Sequence, residues 1–224
     1  MSNVESIWND WCTAQMIAEK GVHLFLTNNE KIVKTKQIGK SGRPVLLRHP
    51  DMESMVIRET DILVADWKSG EHLYDGLIYI MFRLENQLVR PLYIGKAESI
   101  GRGDKNLSIN IKNLAKDKSK FARWGDNYAY HIGDLSAATL TGHSEDKVNP
   151  KYLRWASALF DIVEGRDVRL RSPCYFWMKA WKPTDLGVWK EMVPMRLSFL
   201  EYLLIGVASS AFGTSVLNYE GRNR

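Results

Sequence analysis

Cysteine is nearly absent from this chain. Cys12 and Cys174 are the only two in 224 residues, and they lie far apart. That excludes a disulfide framework, and their positions match no zinc-ligand spacing. Both sit among aromatic and apolar residues, which predicts buried free thiols. Proline is sparse, with 7 residues, and no low-complexity tract or internal repeat is present. No apolar run reads as a membrane-spanning helix. The run from Phe199 to Ala211 is short and is interrupted by Glu201, Ser209 and Ser210. The first residues carry acids where a secretory signal would need a basic start and an apolar stretch. These absences predict a soluble chain with a cytoplasmic location and no membrane partner. One sign of charge is also missing locally. Between residues 31 and 48 stand Lys31, Lys34, Lys36, Lys40, Arg43 and Arg48, with no acid among them.

What is present is ordinary for a globular chain: 45% apolar and 25% charged residues. The length suits one domain, or one domain with a large decoration, and a core that needs no staples. A net charge of +5 and a pI of about 9.1 suit a polyanionic partner without requiring one.

Along the chain, Val4, Ile7, Trp8, Trp11 and Ile17 recur near helical spacing, so residues 4–18 read as an amphipathic helix that Gly21 stops. Val22 to Leu26 reads as a short strand, and Gly39 and Gly42 make the basic stretch flexible. Val56 to Trp67 reads as strand-like. A hairpin follows, with strands at 76–82 and 90–95 joined by a polar turn. Asn106 or Ser108 would cap a helix over 108–123, and Tyr128 to Ile132 alternates as a third strand. Lys151 to Val163 reads as a helix. Arg169 to Trp181 reads as one or two strands divided at Pro173. Ser198 to Phe212 is the clearest helix, closed by Gly213. The organisation implied is an N-terminal extension (1–73), a core (74–132 and 196–224) and an insertion packed on it (133–195).

The chemistry-bearing pattern is spread over this core. Gly76-Leu77-Ile78-Tyr79-Ile80 and Tyr93-Ile94-Gly95-Lys96 place two tyrosines 14 residues apart on a hairpin. A basic helix follows. Far downstream stand a helical Glu201 and a late Asn218. Together these resemble the GIY-YIG nuclease superfamily, over roughly half of the chain. Tyrosine here stands three residues after the first glycine rather than the usual two, a form that some restriction-type members share.

The resemblance implies an α/β (α+β) fold, with a small three-stranded antiparallel sheet flanked by helices. It implies a metal-dependent DNA endonuclease, a phosphodiester hydrolase of the kind found in restriction systems. Tyr79 would activate water. A free tyrosine titrates near ~10, so a nearby cation or metal would have to lower it, and Lys96 is placed to help. Tyr93 would order water and phosphate. Arg102, between Gly101 and Gly103, and Arg123, beside Phe121 and Trp124, compete as the charge-balancing arginine. Glu201 would hold one Mg²⁺ or Mn²⁺, and Asn218 would support the site. Each has a plainer reading: core tyrosines, solvated arginines, a surface glutamate, a turn asparagine. His131, on the expected third strand, would face the site or satisfy a core hydrogen bond.

Two decorations are candidate DNA contacts. One is the basic stretch with Lys34, Lys36, Lys40 and Arg43. The other is the insertion, whose tryptophans otherwise form an aromatic core. Lys112 and Lys120 on the 108–123 helix extend the basic track. Cutting both strands from a single-site subunit implies a homodimer or sequential nicks. The rival expectation is a nucleic-acid-binding module that does not cut.

Overall fold

The computed structural model describes residues 2–40, 42–101, 106–109, 111–112, 131–145, 148–163 and 167–223. The elements in chain order are α1 (Asn3–Ala14), α2 (Ile17–Lys20), β1 (Val22–His23), β2 (Thr35–Ile38), β3 (Arg43–Leu46), α3 (Pro50–Ser69), β4 (Gly76–Glu85), β5 (Leu88–Glu98), α4 (Ile132–Ala137), α5 (Pro150–Leu159), β6 (Phe160–Val163), β7 (Asp167–Leu170), β8 (Tyr175–Trp181) and α6 (Leu197–Phe212). The chain is a mixed α/β protein. Its main sheet has four strands in the order β1-β8-β4-β5, and every neighbouring pair is antiparallel.

The expected hairpin is present and longer than its sequence pattern. β4 and β5 pair from Gly76↔Glu98 to Glu85↔Leu88. Asn86 and Gln87 close it with φ of 51° and 65°, the left-handed pair that matches strand twist in a two-residue turn. Every residue from Gly76 to Phe82 is buried, because both faces of β4 are covered. Ile78, Ile80 and Phe82 pack with Trp8, Trp11, Trp177, Leu200 and Leu204, beneath α1 and α6. Leu77, Tyr79 and Met81 pack on the other face with Met52, Met55, Trp155 and Leu159, beneath α3 and α5. Burial of each such side chain is worth about 1.5–3 kcal/mol.

Four sequence expectations are corrected here. Val56 to Trp67 is not a strand but part of α3, which buries Met52, Met55, Val56 and Leu63 at helical spacing. His49 caps it by accepting the Asp51 N–H at 3.2 Å, Pro50 opens it and Gly70 ends it at φ 77°. The strand expected at 128–132 does not include His131 or Ile132. Residues 128–130 lie outside the described residues, and Ile132 begins α4. β8 instead pairs with β4 from Gly76↔Trp181 to Phe82↔Tyr175, while β1 adds a fourth strand on its far side. The segment 133–195 therefore supplies a central strand of the sheet rather than packing on it from outside. The 31–48 stretch is not simply flexible. Within it β2 and β3 pair as a hairpin. The expected helix over 108–123 lies almost wholly outside the described residues.

Other expectations stand. Cys12 and Cys174 are free and buried. Trp155, Trp177 and Trp181 are core residues. α5 begins where expected, although its chain turns into β6 at Phe160. The stretch Leu197–Ser215, which runs through α6 into a short 3-10 turn, is by length and composition apolar enough to cross a membrane. Here it carries buried Leu200, Leu204 and Ala208 against the sheet.

Candidate active site at the sheet edge

β5 is an edge strand, so the outward N–H and C=O groups of alternate residues need partners from outside the sheet. The C-terminal segment and α6 provide them. The Leu92 carbonyl accepts from the Leu217 N–H at 2.7 Å. The Ile94 N–H donates to Asn218 Oδ1 at 3.0 Å, and the Ile94 carbonyl accepts from Asn218 Nδ2 at 2.8 Å. The Lys96 N–H faces the Glu201 carboxylate and favours its charged form. Two successive outward positions of one strand thus hold Leu217 and the asparagine that the sequence pattern singles out, and the next lies beside its glutamate. Replacing Asn218 by alanine leaves the Ile94 N–H and carbonyl without these partners. The expected cost is about 1–3 kcal/mol, read as a lower urea midpoint with an unchanged denaturant slope.

Tyr79 lies beneath this edge. It pairs across the hairpin with Gly95. A Cβ built at Gly95 would stand 2.6 Å from Cε2, Cζ and Oη of the Tyr79 ring. The glycine of the second motif is therefore the space that the tyrosine of the first motif fills. Tyr79 is 1% exposed. Burial, and then the neighbouring Tyr93, Glu201 and Tyr152, push its phenol well above the ordinary value. The expectation that a cation lowers it is not met. The Lys96 ammonium instead pairs with Glu98 and donates to Ser198 Oγ at 2.9 Å, and that hydroxyl donates to Glu98 at 2.9 Å. Lys96 thereby ties the end of β5 to the start of α6.

Tyr93 is half-buried. Its ring packs on Trp155 at 4.7 Å, on His131 at 5.6 Å and on Tyr79 at 6.4 Å. Burial, with the charges of Glu201 and Glu220 behind it, raises its phenol to about 12. His131 is not on a strand. It caps the start of α4 at φ 57° and is buried, with Nδ1 2.6 Å from the Tyr152 hydroxyl. Burial, and then the neighbouring Asp134, raise the phenol of Tyr152. Burial, followed by the charge of Lys151, lowers the His131 pKa well below its usual value and keeps the ring neutral.

Above these residues opens a cleft of about 610 Å³, lined by Tyr93, Pro150, Lys151, Arg154, Glu201, Tyr202, Ile205, Asn218, Tyr219 and Glu220. Glu201 is half-buried in it. Burial raises its carboxyl to about 7; the Lys96 charge opposes that shift and Glu98 adds to it. Among the described residues no group of three or more His, Cys, Asp or Glu side chains clusters as metal ligands. A single carboxylate suits Mg²⁺ or Mn²⁺, because such ions keep several waters and borrow substrate phosphate oxygens.

Arg102, Arg123 and Lys120 lie outside the described residues. Lys34, Lys36 and Lys40 are exposed on or beside the β2–β3 hairpin, Arg43 is half-buried there and Lys112 is exposed. None of Lys34, Lys36, Lys40, Arg43 and Lys112 lines the cleft. The sequence pattern singled out none of Lys151, Arg154, Tyr202, Tyr219 and Glu220 as residues of this site. The spacing of Lys151 and Arg154, three apart on an amphipathic helix, was the available signal. Comparison with known proteins finds no matching family model, no matching characterised protein and no matching solved structure.

Proposed function

We propose that this chain is a metal-dependent endonuclease of the GIY-YIG type that hydrolyses phosphodiester bonds in DNA, in a restriction-like, cytoplasmic role. One observation carries the reading. Tyr93, Glu201 and Asn218, distant in sequence, meet at one cleft with Tyr79 directly beneath them. In the reaction, water adds to phosphorus while one P–O ester bond breaks, leaving a phosphate end and a hydroxyl end. Glu201 would hold a Mg²⁺ or Mn²⁺, which when bound supplies positive charge against the developing anion and the leaving oxygen. Asn218 fixes the strand edge on which Glu201 rests. Tyr93 lines the cleft and would order what binds there.

The test is a plasmid nicking assay with Mg²⁺ or Mn²⁺ on supercoiled and on base-methylated DNA. Discrete, metal-dependent fragments are the expected result. The homodimer that double-strand cutting calls for is tested by sedimentation at working concentration. The complete burial of Tyr79, which takes the expected base away from solvent, favours a second reading: a binding module on the same scaffold. That reading predicts DNA affinity that falls steeply with salt, and no turnover on any DNA.

A further inference from the structure

We propose that Lys151 and Arg154 are the phosphate-binding pair of this cleft, their side chains engaging the non-bridging oxygens of a phosphodiester held beside Glu201. The proposal rests on the nuclease reading and assigns it a source of positive charge.

The two residues lie three apart on α5 and so share a face, and both line the cleft that Glu201 and Glu220 also line. The Lys151 ammonium is held by rings. It lies 5.2 Å from the Tyr93 centroid, 5.4 Å from Tyr152 and 5.2 Å from Trp155. Among the described residues it has no hydrogen-bond acceptor and no salt-bridge partner. Ring faces hold the charge in place but take none of its three N–H donors. Burial also lowers the Lys151 pKa, with Arg154 lowering it further and Asp134 and Glu220 opposing. An incoming anion would relieve both. Arg154 donates from Nη2 to the Leu217 carbonyl, while its Nε is buried with no acceptor among the described residues. A guanidinium has five N–H donors, so this one keeps donors to spare while fixed at the root of the tail that bears Asn218.

The charge layout fits a phosphodiester more closely than a simple carboxylate. A lysine and an arginine share the cleft with a carboxylate suited to a divalent metal, so a tetrahedral anion bound there would meet both charges. Exposed Tyr202 and Tyr219 stand at the same cleft, where an unstacked base can lie on an aromatic ring.

The decisive variant is Lys151→Met, which keeps the stem among the three rings and removes only the charge. Its melting temperature should match wild type. Metal-dependent cleavage should fall about 100-fold or more, as when one preorganised electrostatic contact is lost. In Ca²⁺, the salt slope of duplex affinity should drop by about 1. Lys151→Arg should recover most of the binding. Wild-type cleavage and an unchanged salt slope in Lys151→Met would overturn the pair and leave the nuclease reading standing. If wild type neither binds nor cuts DNA, the nuclease reading falls, and calorimetric titration with thymidine 3′,5′-bisphosphate decides the pair separately. Binding that Lys151→Met abolishes upholds a phosphate site; no binding by wild type overturns it.

Discussion

Glu201→Gln is expected to abolish metal-dependent cleavage and, in the same molecule, to raise stability at alkaline pH. Glutamine is close to isosteric and keeps an oxygen for the Lys96 N–H, so the fold should persist. It cannot offer a metal the anionic oxygen that the carboxylate does. Cleavage should fall about 100- to 1,000-fold, the range seen when a fixed electrostatic stabiliser is removed. The stability half follows from the carboxyl titrating near 7 in the folded chain, raised from 4.5. The folded state then binds the proton more tightly than the unfolded state. In the metal-free protein stability is fully present below the unfolded value and is lost as pH rises from there through about 7. Undiscounted, the shift corresponds to about 3 kcal/mol. Solvent at the cleft mouth reduces this, so a gain of about 1–2 kcal/mol is expected for Glu201→Gln at pH 8, with none at pH 4. Paired thermal melts at the two pH values, run with a metal chelator, read it directly. Equal melting shifts at both would show that the Glu201 charge is not strained in the fold. Wild-type cleavage by the variant would remove Glu201 from the metal site.

Gly76→Ala should be the most damaging single methyl that can be added near the site. Gly76 has φ 150°, and a Cβ there would stand 2.1 Å from the Ala97 carbonyl oxygen and 2.9 Å from Glu98 Cα and from Leu197 Cδ2. Two of these are backbone atoms. The residue cannot retreat, because β4 is pinned at this point between Glu98 of β5 and Trp181 of β8. Overpacking and an unfavourable φ together should cost about 3–5 kcal/mol, a large part of the ~5–15 kcal/mol that holds a typical domain. The damage should reach the cleft as well. The neighbouring Asp75 accepts the Leu197 N–H at 3.0 Å at the start of α6, one turn before Glu201. Gly206→Ala is the control. It lies within α6 with nothing within 4 Å of an added Cβ, and it should stabilise by about 0.5–1 kcal/mol. Equal melting temperatures for Gly76→Ala and wild type would show that this crowding is absent in solution.

The parts of the fold that local pattern could reveal were legible in the sequence. The β4–β5 hairpin showed as two β-rich runs around a polar turn, and α6 showed as a long apolar helix ended by Gly213. α3 was misread because Val56, Ile57, Ile62 and Val64 give the segment β-branched density. His49, Pro50 and Gly70 mark it as a helix, and tertiary burial decides for the helix. β8 was recognised as a strand but not as a member of the sheet. Its partner β4 lies about a hundred residues earlier, and no local period encodes that pairing. The same limit applies to the site. Tyr79, Tyr93, Glu201 and Asn218 were legible as a motif, whereas Lys151 and Arg154 reach the cleft only through the packing of α5 over Tyr93. The burial of Tyr79 could not be read either, since it depends on the far side of the sheet being roofed by α3 and α5.

The tail at Leu217 and Asn218 also has a protective consequence. Peeled away, it would bare a row of unpaired main-chain groups on β5 between Leu92 and Lys96. Such a row is a template for strand addition by another molecule. Asn218, with both its amide groups spent on Ile94, is therefore a gatekeeper against self-association as much as a support for the cleft. A mutation there would favour aggregation whatever the cleft binds.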